Sequence, residues 1–326
     1  ERADFDFFGV GDSQLVFREL YTRLSAIAEA TDSINIGPAV TNPVTRDPTV
    51  TAGAMATVDE ISDGRAKLGL ASGNSSVFSL GKPPAKLAEL EDTIRMVQDL
   101  TAGKEVEYDG KPINISWIAE GRGQDSRYFS EPRDVPVFLG ADGPKTQQLA
   151  GKVADGCIFG LGVTPEIVEE SIANIEKGAR EADRDPDEVE KWVLSRSNIA
   201  ETREQAIDEI VMALADAGNV VGRFSMEGKH LPEEYKEPIE ELQENYVYLE
   251  HVAPGDTTNR QLVEELGLTD FLADRFAIVG TPEDHLEQLR ELEQIDGVDG
   301  VLSIVNGSDK HGFIEDYGET VIPEFR

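Results

Sequence analysis

Between residues 36 and 48 the chain reads IGPAVTNPVTRDP, which sets Thr41, Asn42, Thr45 and Arg46 among three prolines. Proline fixes φ, withdraws a donor and pushes the residue before it into extended conformations, so neither a helix nor a central strand runs through this stretch. It is a shaped loop. A second cluster, Ser72-Gly73-Asn74, closes the apolar run AKLGLA. Small residues there let a backbone approach a flat ligand, and the Asn74 carboxamide offers both donor and acceptor, although the same residues also read as a turn with a serine helix cap. A third, GADGPK, comprises Gly140, Ala141, Asp142, Gly143, Pro144 and Lys145. A strand running through a Gly-rich turn into a helix aims backbone N–H groups and the helix dipole at one spot, which suits phosphate. Asp142 would repel that phosphate, so it is expected to turn away and cap the helix beginning at Pro144. There is no HExxH, no triad spacing and no paired-carboxylate motif, and the four histidines, His230, His251, His285 and His311, fall in helical or surface contexts. A cofactor that carries the chemistry while the protein supplies orientation fits this inventory. Asp12, in GDSQ, is the candidate for orienting substrate or cofactor.

These groups need a scaffold, and the 326 residues with 39% hydrophobic content supply core material for one large α/β domain. No run approaches the length of a transmembrane span, and the first residues, ERADFDFFGV, lack the zones of a signal peptide. The single cysteine, Cys157, permits no internal disulfide and no cysteine-cluster metal site. A cytoplasmic protein that binds no metal is the simplest expectation. With 64 Asp and Glu against 30 Lys and Arg, the net charge of −34 argues against nucleic acid or anionic membrane as partners. The acidic residues are spread over many segments while the apolar pattern stays intact, a solvated face that reads as adaptation to high salt.

Apolar runs at 5–10, 33–38, 66–71, 136–141, 156–161, 191–200 and 300–305 alternate with helical patterns at about 14–30, 48–60, 84–102, 144–153, 165–182, 202–216 and 282–295. That alternation predicts a parallel sheet, and strands apolar throughout that end in Gly, Asn or Ser predict coverage on both faces, as in a closed barrel. Seven strands are visible where a (β/α)₈ barrel needs eight, so a first strand and helix are expected upstream of Glu1. Two insertions interrupt the alternation, at about 104–134, with the hairpin signal EVEYDGKPINISW, and at about 218–270.

GDSQ at 11–14, the block IGPAVTNPVTRDPTVTAGAMATVDEISDGRAKLGLASGNS at 36–75, PVFLGADGPKTQQLAGKVADGCIFG at 136–160 and VGTPEDHLEQL at 279–289 together resemble the bacterial luciferase-like superfamily of flavin- and coenzyme F420-dependent oxidoreductases. They look most like its methylenetetrahydromethanopterin reductase-like branch, and the TNP-x-TR-x-P-x-VTA block is the specific part. The resemblance implies a single TIM-barrel domain over residues 1–326, usually dimeric, and with the acidic composition it points to an origin in a halophilic archaeon.

It further implies a non-prolyl cis peptide at Ala39-Val40 that presses on the cofactor ring, with Thr41 and Asn42 beside the ring's polar edge. Asn74 stands where the family commonly has Asp, which keeps a hydrogen-bonding role and removes an acid one. GADGPK resembles the cofactor-phosphate loop, followed by the strand end at Gly160. The family's F420 enzymes often carry Asp-His after the second strand of the barrel, where this chain has Asp12-Ser13. Lys145, Arg275 and Lys229 are the sparse cations placed by sequence order to meet an anionic tail. The function implied is hydride transfer between F420 and a small carbonyl or imine-type substrate, with an FMN-dependent monooxygenase and a non-catalytic flavin-binding barrel as alternatives.

Overall fold

The computed structural model describes residues 1–14, 16–119, 131–223, 225–251, 253 and 255–326. These pack as two compact units. The first holds Glu1, Phe5–Gly140 and Val153–Gly156, and the second holds Arg2–Asp4, Ala141–Lys152 and Cys157–Arg326.

In the first unit β1 (Phe7–Val10), α1 (Leu20–Ala30), β2 (Asn35–Pro38), α2 (Pro48–Ser62), β3 (Leu68–Leu70), the single turn α3 (Ser75–Phe78) and α4 (Leu87–Thr101) follow in order. A hairpin of β4 (Val106–Tyr108) and β5 (Lys111–Ile113) precedes β6 (Val137–Gly140). β1 pairs in parallel with β2, Phe7 opposite Asn35 and Val10 opposite Pro38, and β3 pairs in parallel with β6. Between β2 and β3 only the bridges Ile36–Ala66 and Thr41–Leu70 form. The cis Ala39-Val40 segment separates the two bridges, and the backbones lie close together. A Cβ on Gly37 would lie 1.7 Å from the Lys67 carbonyl oxygen, and one on Gly69 would lie 2.3 Å from that of Pro38. Ile36, Leu68, Leu70, Val137 and Leu139 are buried on one face and Phe138 on the other, as the continuous apolar runs predict.

The second unit contains α5 (Pro144–Val153), β7 (Gly156–Phe159), α6 (Pro165–Glu181), the ten-residue β8 (Glu190–Ile199), α7 (Arg203–Gly222), α8 (Glu233–Asn245), α9 (Thr258–Glu265), α10 (Thr269–Phe276), β9 (Ala277–Gly280), α11 (Pro282–Glu293), β10 (Gly300–Val305) and α12 (Lys310–Asp316). β8 is its organising strand. It neighbours β7 and pairs in parallel with β10 and, near its C-terminal end, with β9. Ile210, Leu214, Ile239, Leu242, Leu272 and Phe276 form a core where α7, α8 and α10 meet. Among the described residues no helix is long and apolar enough to cross a membrane.

The seven predicted strands are present, and β9 is an additional one. Its AIVG run is short and lies between two helices, so it carries no period of its own. The helix expected from about 14 begins at Leu20, because Val16 N–H and Phe17 N–H close a turn on the Ser13 carbonyl and the Glu19 side chain caps Thr22 N–H at 2.7 Å. The EVEYDGKPI hairpin turns at Asp109 and Gly110, both at positive φ. Residues 120–130 of that expected insertion lie outside the described residues. The second insertion starts later than 218, since α7 continues to Gly222.

Candidate active site

In the first unit the C-terminal ends of β1, β2 and β3 bring polar groups together. Asp12, two residues past β1, has a side chain only 3% exposed, and its Oδ2 accepts hydrogen bonds from Thr41 Oγ1 at 2.6 Å and from Arg46 Nη1. Arg46 also reaches Glu19 Oε1 at 3.3 Å and lies over the Tyr21 ring, 5.2 Å from its centroid. Burial works against the Arg46 charge, but the bonded Asp12 carboxylate outweighs it, and the guanidinium's pKa stands above its ordinary value. Burial pushes the Tyr21 phenol up to about 12.

The loop after β2 leaves the sheet through a cis Ala39-Val40 peptide, as the resemblance implied. Ala39 N–H donates to the Val10 carbonyl at 3.0 Å, Thr41 N–H to Gly69, and Ala71 N–H to the Thr41 carbonyl, so the segment is held from both neighbouring strands. Val40 Cγ1 lies 3.0 Å from where a Gly69 Cβ would be and 3.5 Å from that of Gly140. Asn42 is placed differently from the expectation. Its Oδ1 accepts from Val44 N–H and Thr45 N–H, both at 3.0 Å, and its Nδ2 donates to Ser76 Oγ at 3.0 Å, so the carboxamide shapes the loop. The side chain with capacity for a ligand is Asn74, whose buried Oδ1 has no partner. Thr45 Oγ1 is buried and unpartnered too. Gly73 sits at φ 103°, with Val77 Cγ1 2.7 Å from where its Cβ would be, and the Ser72 carbonyl accepts from Ala85 N–H. Ser13 is buried, and its Oγ accepts a hydrogen bond from Ser75 Oγ at 3.2 Å.

In the second unit Ala141 N–H donates to the Ile158 carbonyl at 2.8 Å, and α5 starts at Pro144. The expected cap is corrected. Thr146 N–H and Gln147 N–H close on the Gly143 carbonyl, while Asp142 Oδ1 accepts from Gly160 N–H at 3.2 Å, 18 residues away. The turn beside Gly143 is open, with nothing within 4 Å of where its Cβ would be, and Lys145 is exposed.

Arg275 is likewise not a surface cation waiting for a tail. It is buried, and its Nε, Nη1 and Nη2 donate to the carbonyls of Leu161, His230 and Lys229 at 3.0, 2.9 and 2.5 Å. Burial lowers its pKa to about 10. Lys229 is buried as well, its ammonium donating to the Val221 and Arg223 carbonyls at the end of α7, and burial lowers its pKa.

The sequence reading missed Arg46, Ser75, Ser76 and Tyr21 as members of the first cluster. Only Arg46 carried a signal, standing in the proline-bounded loop four residues after Asn42.

The family model described as luciferase-like monooxygenase matches residues 1–299. The 5,10-methylenetetrahydromethanopterin reductase of Archaeoglobus fulgidus is 30% identical over all of this chain and 93% of its own length. An F420-dependent glucose-6-phosphate dehydrogenase of Nakamurella multipartita is 25% identical over 93% of this chain and 81% of its own length. Among solved structures, the coenzyme F420-dependent tetrahydromethanopterin reductase of Methanopyrus kandleri superposes with a TM-score of 0.74, at 22% identity, over 99% of this chain and 92% of that one. An F420-dependent secondary alcohol dehydrogenase, solved with an F420-acetone adduct, superposes with a TM-score of 0.74 at 18% identity, over 100% of this chain and 92% of that one. The expected α/β class with the TIM-barrel type of fold is therefore the class found. With more than half its length matched by the family model, the chain belongs to the luciferase-like monooxygenase family.

Proposed function

We propose that this protein is an F420-dependent oxidoreductase that exchanges a hydride between the deazaflavin and a small carbonyl or imine-type substrate. The observation that carries the reading is the buried, unpartnered Asn74 Oδ1 at the C-terminal end of β3, in a cluster with the Thr41 loop. A buried acceptor without a donor costs about 1–3 kcal/mol, and an N–H on the edge of a flat heterocycle relieves that cost. Relatives whose names specify F420 act on a pterin, a sugar phosphate and a secondary alcohol, which supports the cofactor and leaves the substrate to loops.

The cofactor, when bound, supplies hydride transfer. Val40, Thr41 and Asn74 would hold its ring. In the second unit, taken by itself, the Gly143 amide and the start of α5 make a turn suited to a phosphate, with Lys145 adding a solvated cation. The Asp12 carboxylate, bonded to Thr41 and Arg46, orients the loop. The acidic surface supports a salt-rich cytoplasm as the setting, and the family resemblance supports a homodimer.

Equilibrium titration of the full chain with F420 and with FMN in molar KCl, followed by cofactor fluorescence, tests the reading. F420 is expected to bind the tighter. The family's monooxygenase description supports a second reading, and tighter FMN binding would put it first. Binding of neither would overturn both.

A further inference from the structure

Resting on the F420 reading above, we propose that Asp12, Arg46 and Thr41 form a clamp that fixes the 39–42 bulge against the cofactor. Arg46 is then a positioning residue, acting on cofactor affinity through Asp12 without touching the cofactor, and Asp12 holds the loop in place. Two side chains of the loop after β2 converge on one carboxylate oxygen of the loop after β1, Asp12 Oδ2, which takes Thr41 Oγ1 at 2.6 Å and Arg46 Nη1. Both bonds are accepted by the same oxygen, so the two donors are tied to each other through Asp12 Oδ2.

The loop is built to deliver Arg46 there. Asn42 Oδ1 gathers Val44 N–H and Thr45 N–H, folding the chain back on itself so that Arg46 returns to the end of β1 from which Asp12 projects. Glu19 on one side and the Tyr21 ring on another fix the guanidinium, which leaves it one arrangement. Thr41 lies at the crossing point. Its hydroxyl is on Asp12 while its backbone bonds to Gly69 and Ala71, so the clamp and the β3 backbone grip the same residue from two directions. Residues 39 and 40 are the next two along the chain and have no slack of their own, since Ala39 N–H is held by Val10.

The test is a set of F420 titrations in molar KCl on the full chain. Arg46→Ala should weaken binding about tenfold or more, and Arg46→Lys, which keeps a cation for Asp12, should recover most of the loss. A clamp acts as one unit, so the double variant Asp12→Asn with Arg46→Ala should bind within about threefold of the weaker single variant, where independent contributions would multiply. Thr41→Val removes only the hydroxyl and should weaken binding while the melting temperature stays near that of the unaltered protein. It keeps the proposal decidable if Arg46→Ala does not fold. F420 affinity within twofold of the unaltered protein in Arg46→Ala and in Thr41→Val, or losses that multiply in the double variant, would overturn the clamp and leave the cofactor reading standing. Failure of the unaltered protein to bind F420 would overturn the cofactor reading and the clamp together.

Discussion

His285 makes the stability of the second unit sensitive to mild acid. The ring is fully buried on α11, with Nε2 at 2.9 Å from the Asn198 carbonyl and Nδ1 at 2.8 Å from the Tyr317 hydroxyl. A carbonyl only accepts, so Nε2 carries the hydrogen and Nδ1 receives the Tyr317 O–H. A second ring proton would have to enter at Nδ1, where it would face that hydroxyl hydrogen in a fully buried site. Burial accordingly lowers the pKa from 6.5 to about 4, against a smaller opposing effect of the Asn198 carbonyl. The folded protein thus resists a proton that the unfolded chain accepts. Above pH 6.5 neither state is protonated and the group contributes no pH dependence. Between 6.5 and 4 the unfolded state binds more protons, and stability falls as pH falls. At 1.36 kcal/mol per pH unit the gap amounts to about 3 kcal/mol at pH 4 and about 2 kcal/mol at pH 5. Denaturant unfolding in molar KCl at stepped pH, on the unaltered protein and on His285→Gln, isolates this contribution, because carboxylates elsewhere titrate alike in both. The unaltered protein should lose stability more steeply between pH 6.5 and 4, by close to one proton. Parallel curves would refute the reasoning.

Two further outcomes follow from charge and packing. At a net charge of −34, melting temperatures should climb steeply with added KCl and then level off as self-repulsion is screened, and a melting temperature indifferent to salt would contradict this. Gly37→Ala would place a methyl group 1.7 Å from the Lys67 carbonyl oxygen, backbone that has no rotamer to escape into. A loss of more than about 3 kcal/mol or failure to fold is expected, and a melt within a degree of the unaltered protein would sink that expectation.

The strands were legible because each is a short apolar run ending in a turn residue, and a two-faced buried strand needs nothing else. β9 was not, since four apolar residues between two helices have no period to read. The site was legible where it depends on local backbone, as in the proline-bounded loop and the Gly-rich turn. It was illegible where partners are distant in sequence. Asp142 bonds an amide 18 residues on, Arg46 a carboxylate 34 residues back, and Arg275 a carbonyl 114 residues back. Asn42 is the instructive case, because the signal was present and was read as ligand contact. Asn before Pro favours turn initiation, and the carboxamide is spent on Val44 and Thr45.

The fate of the cations bears on how so acidic a chain could hold an anionic cofactor. Several are withdrawn from the surface to satisfy carbonyls. Arg65 donates to the carbonyls of Ala28, Thr31, Ile34 and Ser62, where α1 and α2 end. Lys191 serves Pro186 and Val189, Lys229 the end of α7, and Arg275 three carbonyls at once. Helix ends expose carbonyls that must find donors, and a long cationic side chain supplies several at once. Each cation so used stabilises the fold and leaves the field outside the protein more negative. Attraction of a phosphate through that field is then unfavourable, and what remains is contact at short range, from backbone amides and the dipole of α5 at the open turn beside Gly143. Salt weakens a field over several ångströms far more than it weakens an amide contact. High salt would therefore weaken the repulsion and spare the contact, so an anionic ligand is expected to bind this chain more tightly as salt rises, and binding that weakens steeply with salt would contradict this.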